Sequence, residues 1–166
     1  MTRNVILSRG KIAVVDDDDA QWVRQWKWST SSDGRAVRRL RDGTIILMHR
    51  AILEHHGIDL TGYVVDHINR DPLDNQFANL RPCTAAQNLW NRPASSASTT
   101  GYKGVFFHQA YGWHITIITH GERLWRGYFK TLRQALCVYN QLAREKHGEF
   151  AEIHELPDDP NSPVFS

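Results

Sequence analysis

The apolar residues in the first third of the chain alternate with polar ones in short runs, a pattern typical of β-hairpins. Residues 5–15 alternate weakly around a central Arg-Gly pair, which predicts a small hairpin. Residues 35–48 alternate on either side of Asp42-Gly43, and Asp-Gly between alternating runs is a strong hairpin signal. The chain is therefore predicted to open with two hairpins.

Helical spacing replaces the alternation at two places in the same region. Trp22 and Trp26 share one face of a predicted helix, which four consecutive Asp residues precede at 16–19. Carboxylates at a helix start bind free backbone amides and complement the helix dipole. We interpret the run as a cap rather than a metal site, because consecutive residues cannot all point at one ion. Residues 48–56 form a second predicted helix, which Gly57 stops.

The last third of the chain carries three strand-like runs followed by one long helical pattern. The runs cover residues 102–108, 113–119 and 123–129. Thr131 and Gln134 fit a capping box, and apolar residues, Tyr139 among them, then recur at three-and-four spacing until Gly148. Three antiparallel strands packed on one helix form a complete small module, which we place at residues 100–150.

The length of 166 residues permits one ordinary domain or several small modules. A small, polar segment at 93–99 is typical of a linker, and the acidic end of the chain is typical of disorder from Pro157 onward. The predicted divisions are a basic lead-in at 1–56, a core at 57–92, the linker at 93–99, the module at 100–150 and an acidic tail at 151–166.

Composition indicates a cytoplasmic protein without a membrane segment. No apolar run approaches the length of a bilayer span, and the N-terminus has no apolar signal core. Cys83 and Cys137 are isolated and no C-x-x-C occurs, which disfavours a zinc finger and a disulfide framework. The histidines of the helix at 48–56 have no matching carboxylate spacing, so we expect them in packing or at the surface.

Charge is unevenly distributed along the chain. Residues 1–50 hold ten Lys or Arg and six Asp or Glu, and residues 99–150 hold seven and three. Residues 51–98 hold three and five. Basic flanks suit phosphate backbones and an acidic centre suits a divalent cation, but on charge alone ordinary solvated surface is the preferred explanation of such modest swings. For Arg38 and Arg39, on the second hairpin, a phosphate-contacting ribbon and a solvated face are equally supported.

The residues able to carry chemistry concentrate between positions 63 and 92. Asp66 and His67 close a short apolar strand, Asn79 follows a polar loop, and residues 84–87 fit a capping box for a helix that carries Asn88. A carboxylate and an amide oxygen would give two hard ligands, and Mg²⁺ takes its other ligands from water and phosphate. A histidine with an ordinary pKa of ~6.5 is able to accept a proton from water. A strand–loop–helix with capping residues alone is the alternative.

The pattern D-H…N-L-R…N over residues 63–92 resembles the HNH endonucleases, the ββα-metal nucleases, in the variant that ends on Asn. The resemblance implies that His67 is the general base and that Asp66 and Asn88 bind one divalent metal ion, Mg²⁺ or alternatively Mn²⁺. It implies that Asn79 holds the loop by hydrogen bonds. It further implies phosphodiester hydrolysis in DNA without a small-molecule cofactor.

The C-terminal module, with Tyr102-Lys103-Gly104-Val105, the run 123–129 and Ala135…Tyr139…Ala143, resembles the Apetala/ethylene-response-factor DNA-binding domain. In that family the three-stranded sheet lies in the DNA major groove. Phe106, Thr116 and Ile118 stand where plant members carry charged readers, so the plant target site does not transfer. The DNA contacts predicted for the whole chain are Lys103, His108, Trp113, Arg123, Trp125, Tyr139, Arg38, Arg39 and Arg92.

Together these observations predict an α+β protein. It has a ββα-metal HNH core with an N-terminal β-hairpin extension, plus a small three-stranded antiparallel sheet packed on one helix. We expect a site-preferring DNA endonuclease resembling phage homing endonucleases, acting on double-stranded DNA in the cytoplasm of a phage-infected bacterial host. The first alternative is a non-catalytic DNA-binding transcriptional regulator that retains the HNH scaffold, and the second is a nuclease that cuts RNA or DNA without regard to sequence. The recognition sequence, nicking versus double-strand cleavage and the oligomeric state stay open.

Overall fold

The computed structural model describes residues 1–158, which form two compact units. The first unit runs from Met1 to Asn88 and the second starts at Leu89. Residues 151–158 have no helix or strand, and the rest of the predicted acidic tail lies outside the described residues. Within residues 1–158, no helix combines the length and the apolar character needed to cross a bilayer.

The first unit is built from two hairpins, a three-stranded antiparallel sheet and short helices. Its elements are β1 (Thr2–Ile6), β2 (Ile12–Asp16), α1 (Asp17–Val23), β3 (Ser29–Thr30), β4 (Ala36–Arg39), β5 (Ile45–Leu47), α2 (Met48–His55), β6 (Val64–His67), β7 (Leu80–Cys83) and the start of α3 (Ala85–Asn91), whose last three residues belong to the second unit. Strands β1 and β2 pair with each other, β4 lies between β3 and β5, and β6 pairs with β7. Both hairpins that the alternation predicts are present.

A single apolar core fills the first unit. Val15, Val23, Met48 and Ile52 are fully buried, and Leu80 from the far end of the unit belongs to the same cluster. The predicted lead-in and the predicted core segment therefore share one interior. Strands β6 and β7 rest on this interior through Val65 and Leu80, which share one face of the pair with His67, whereas Asp66 lies on the other face.

The acidic run at the start of α1 binds other segments instead of capping the helix. Asp16 occupies the cap position but makes no side-chain hydrogen bond to the helix, because its Oδ2 accepts from the Phe77 amide at 2.7 Å. Asp19 is buried, and its Oδ1 lies 2.8 Å from His56 Nε2. The predicted capping role is therefore wrong for Asp16. The three carboxylates of the first turn still complement the helix dipole.

The second unit is an antiparallel sheet with one helix on one face. Its elements are β8 (Val105–His108), β9 (Gly112–Thr119), β10 (Glu122–Phe129) and α4 (Leu132–His147), with β9 in the middle of the sheet. The predicted capping box is present, since Thr131 Oγ1 accepts from the Gln134 amide at 3.2 Å and Gln134 Oε1 accepts from the Thr131 amide at 3.3 Å. Ile115 and Leu136 are buried in its core.

Gly104 fits where no other residue can, and this predicts a large loss of stability on substitution. Its φ is +67°, and an added Cβ would lie 2.4 Å from the Thr116 carbonyl oxygen and 2.7 Å from the Tyr139 ring. We expect Gly104→Ala to destabilise the second unit by about 2–5 kcal/mol in urea denaturation, from backbone strain plus overpacking. Gly121→Ala is the control, with a φ of +82° and no atom within 4 Å. Equal losses in both variants would contradict the argument.

Candidate active site

The hairpin of β6 and β7, followed by α3, carries the predicted catalytic residues. Asp66 is directly opposite Arg81 in the register, and His67 is opposite Leu80. The predicted capping box at 84–87 starts α3: Gln87 Oε1 accepts from the Thr84 amide at 2.8 Å, and Thr84 Oγ1 accepts from the Gln87 amide at 3.2 Å. This box places Asn88 in the first turn of α3, half-buried, with its amide donating to the Thr84 carbonyl.

Asp66 is a buried carboxylate whose charge is balanced by its cross-strand neighbour. Its exposed fraction is 5%. Arg81 donates from Nε at 2.9 Å and from Nη2 at 2.8 Å, both to Asp66 Oδ2. Charge-assisted bonds of this kind offset the cost of burying a carboxylate and fix its orientation.

His67 is also buried, and burial lowers the pKa of its ring below the ordinary value of 6.5. The positive charge of Arg35 lowers this pKa further, while the Asn75 side chain and the carboxylates of Asp66 and Asp71 act in the opposite direction. The net effect keeps the imidazole neutral at neutral pH. A neutral imidazole is the form that accepts a proton.

His49, on α2, packs edge-on against His67. Their ring centroids are 4.9 Å apart at an interplanar angle of 83°, and His49 is 3% exposed. Burial first, and then the neighbouring His67, lower the pKa of His49 to about 3. This agrees with the packing role expected for the helix histidines, and it identifies His49 as the residue that contacts the candidate base.

The His49 pKa predicts an acid-sensitive first unit. A histidine with a folded pKa of about 3 stays neutral in the fold, whereas the unfolded chain binds a proton below about pH 6.5. The stabilising contribution is therefore complete above pH 6.5 and falls as the pH drops toward 3. Between pH 6.5 and pH 5 the parent should lose about 2 kcal/mol of unfolding free energy through His49. We expect His49→Gln not to show this loss.

Urea denaturation at a series of pH values measures this effect. His55→Gln is the control, because His55 is an exposed histidine of the same helix. It should keep the parent's slope of stability against pH. A parent slope in His49→Gln would contradict the prediction.

Asn79 joins the two ends of the loop between β6 and β7. Its Nδ2 donates to Asn69 Oδ1 at 3.0 Å and to the Asp74 carbonyl at 2.8 Å, and its Oδ1 accepts from the Asn69 amide at 3.0 Å. Every polar atom of the amide group is thus bonded within the loop. This geometry suits a structural brace rather than a group that reacts.

Cys83, at the end of β7, is affected by both predicted metal ligands. Burial raises the pKa of its thiol to about 11; the charge of Asp66 also raises it and the backbone amide of Asn88 lowers it. The effect of Asn88 comes from its backbone amide and not from the side chain that is predicted to bind the metal. Cys83 is therefore a buried thiol that stays protonated at neutral pH.

The donors at this site fit a hard cation. Among the described residues, no group of three or more His, Cys, Asp or Glu side chains is arranged to hold a metal. One carboxylate and one amide suit an ion such as Mg²⁺, which keeps water and uses substrate phosphate for its remaining ligands.

Several of the predicted DNA contacts lie at the surface. His108, Arg123 and Trp125 are exposed in the second unit, Trp125 at 49%. Arg39 and Arg92 are also exposed. These five side chains are accessible to a nucleic acid.

The other predicted DNA contacts have partners inside the protein. Tyr139 is 1% exposed and lies in the core of the second unit, so DNA does not reach it in this fold. Trp113 is partly buried against the same core. Arg38 stacks its guanidinium 4.1 Å above the Trp26 ring. Lys103 Nζ donates to the carbonyl oxygens of Leu89, Trp90 and Arg92 at 2.7, 2.7 and 2.8 Å.

Comparison with known proteins decides the family. A family model described as HNH endonuclease matches residues 47–89. The chain is 32% identical over 155 residues to an uncharacterised HNH endonuclease of Acanthamoeba polyphaga mimivirus, covering 91% of this chain and 80% of that protein. The chain belongs to the HNH endonuclease family. It is also 30% identical over 94 residues to protein 3.8 of Escherichia phage T7, covering 55% of this chain and 76% of that protein. No solved structure matches.

The predicted membership of the HNH endonuclease family is thereby confirmed. The matched residues include α2, both strands of the active-site hairpin and the first turn of α3. They contain Asp66, His67, Asn79 and Asn88. HNH endonucleases act on DNA and generally depend on a divalent metal ion.

Proposed function

We propose that this HNH endonuclease hydrolyses phosphodiester bonds in double-stranded DNA, with His67 as the general base. The observation that carries the proposal is a neutral, buried His67 beside a carboxylate that Arg81 holds in a fixed orientation. Both residues lie within the segment that matches the family. A strand–loop–helix that served only as a scaffold would have no need of this pair.

Asp66 and Asn88 would hold one divalent metal ion, Mg²⁺ or alternatively Mn²⁺. When bound, the ion supplies polarisation of the phosphate and stabilisation of the leaving oxygen. His67 takes a proton from the attacking water, and its lowered pKa keeps it ready for this step at neutral pH. Asn79 braces the loop that follows His67.

The second unit would hold the DNA and contribute site preference, as in phage homing endonucleases. Support comes from its order of three antiparallel strands and one helix, which is that of the Apetala/ethylene-response-factor domain. Exposed His108, Arg123 and Trp125 lie on this unit. In the first unit, Arg39 is accessible to phosphate.

Incubation with plasmid DNA tests the proposal. We expect nicked or linear product with Mg²⁺ or Mn²⁺, and no product when EDTA is present. Competition with RNA distinguishes a DNA endonuclease from a nuclease that does not discriminate. Intact plasmid under all metal conditions would favour the non-catalytic DNA-binding regulator.

A further inference from the structure

The face of the second unit's sheet that lies opposite α4 is covered with aromatic rings. Side chains alternate along β9: Ile115 and Ile117 are buried toward the core, whereas His114 lies on the other face. Phe106 of β8 pairs with His114, and Trp125 of β10 pairs with Thr116, which is on the same face of β9 as His114. Phe106 and Trp125 therefore belong to that outer face.

The rings of this face form one continuous set, which we call the aromatic surface. Its members are Phe106, His108, Tyr111, His114, Trp125 and Tyr128. Neighbouring ring centroids are 5.4 Å apart for Phe106–His114, 5.7 Å for His114–Tyr128, 5.5 Å for Trp125–Tyr128, 4.9 Å for Tyr111–Tyr128 and 4.7 Å for His108–Tyr111. Trp125, Tyr128 and Tyr111 are 49%, 50% and 61% exposed, so the rings are available to a ligand.

The charge around the aromatic surface suits a polyanion. Glu122 is the only acidic residue between positions 93 and 130. It pairs with Thr119, a residue buried on the core face. Arg123 pairs with Ile118 on the outer face, and Lys130 is exposed directly after β10, whereas Arg126 pairs with Ile115 on the core face and does not belong to this surface. A protein partner with an ordinary mixed surface finds no matching acidic groups here, whereas phosphates do find cations.

The side chains present are suited to base faces rather than base edges. A duplex is read in its major groove by polar side chains that hydrogen-bond base edges, and its base faces are hidden by stacking. Aromatic side chains instead stack on the faces of unpaired bases, as on the sheets of many single-strand binders. Between Phe106 and Trp125 the outer face offers an imidazole and the Thr116 hydroxyl, so ring contact predominates.

We propose that the aromatic surface binds a single-stranded stretch of nucleic acid, stacking its unpaired bases on the rings while Arg123 contacts its phosphates. This deepens the proposed function, since it rests on the second unit holding the substrate and specifies that the held part is unpaired. The binding itself requires none of Asp66, His67 or Asn88.

Binding of labelled oligonucleotides to the full chain in EDTA tests the inference. The probes are a mixed-sequence DNA strand of about 12 nucleotides, the same sequence as a duplex, and the same sequence as RNA. We expect tighter binding of the single strand than of the duplex. Trp125→Ala should weaken single-strand binding by about tenfold or more. The two single-strand arms show whether the ligand is DNA or RNA.

Phe107→Ala is the matched control for Trp125→Ala. Phe107 is 55% exposed and adjacent to Phe106, but it pairs with Trp113 on the opposite face. It should leave single-strand affinity within about twofold of the parent, well below the loss expected on removing a stacking platform. If thermal unfolding shows that Trp125→Ala is misfolded, Trp125→Leu keeps the apolar bulk and removes the extended ring.

The outcomes separate this inference from the proposed function. Tighter binding of the duplex, equal effects of Trp125→Ala and Phe107→Ala, or no binding of any probe would each overturn the inference, and the last would favour a protein partner. A chain that binds the single strand with the expected Trp125 dependence but never cuts plasmid leaves the inference standing and removes the nuclease. A chain that cuts plasmid but binds the duplex more tightly overturns the inference and leaves the proposed nuclease function standing.

Discussion

Replacing His67 by alanine should lower plasmid cleavage by about 10²- to 10⁴-fold while DNA binding persists. The ring is buried and neutral at neutral pH, so in the parent it is ready to take a proton from water. Single-turnover cleavage with Mg²⁺, together with DNA affinity in EDTA, measures the two effects separately. Cleavage at the parent rate would remove His67 from the role of base.

Two further variants show whether the loss of cleavage in His67→Ala comes from the missing base or from a loss of fold. His67 packs against His49, so alanine leaves space in the first unit, and His67→Gln fills more of it. His67→Ala and His67→Gln should both lose cleavage, and urea denaturation should show His67→Gln to be the more stable of the two. His55→Gln, which changes an exposed histidine of α2, should keep the parent's cleavage rate.

Elements fixed by local signals could be predicted from the sequence. Asp42-Gly43 joins β4 and β5 because two positions that tolerate turn geometry stand between alternating runs. The capping boxes at 84–87 and 131–134 are present because each satisfies helix amides within four residues. The spacing along α4 also predicts that Tyr139 is on the apolar face, and there it is buried. The family resemblance instead assigned it to DNA, so periodicity was the better guide at this position.

The partners of the buried charges could not be predicted, because they depend on contacts between distant parts of the chain. Asp16 bonds an amide 61 residues away, and Asp19 meets His56 across 37 residues. Arg81 stands in the motif itself, yet its bond to Asp66 follows only from the strand register. His49 similarly becomes a neighbour of His67 only when α2 packs on the hairpin.

Asp66 and His67, which are adjacent on β6, are thus held in place by different contacts. Asp66 is held across the hairpin by Arg81, and His67 is held by a ring from α2. Successive side chains of a strand point to opposite sides, so two neighbours are able to have independent environments. A change at either support should therefore disturb one functional group without removing the other. This separation makes the ligand role and the base role testable one at a time.

Asp66→Asn should abolish cleavage and weaken binding of Mn²⁺ by about tenfold or more, because an amide oxygen is a poorer ligand for a hard cation than a carboxylate. Titration of Mn²⁺ into the DNA-bound protein by paramagnetic resonance measures the loss without reference to activity. Asp71→Asn is the control, because Asp71 is an exposed carboxylate in the loop between β6 and β7. Its Oδ1 accepts a hydrogen bond from the Leu73 amide, and an asparagine side-chain oxygen is able to accept the same bond. Parent affinity for Mn²⁺ in Asp66→Asn would remove Asp66 from the ligands.

The same substitution has a structural effect that must be separated from the loss of the ligand. It takes the carboxylate from Arg81, whose side chain is only 12% exposed, and breaking a buried pair by neutralising one partner costs about 3–5 kcal/mol. Arg81→Met in the Asp66→Asn background removes the uncompensated charge, so the double variant should recover most of that stability. It should still fail to bind Mn²⁺ and to cut DNA. Recovery of cleavage together with stability would mean that Asp66 serves only to hold the hairpin.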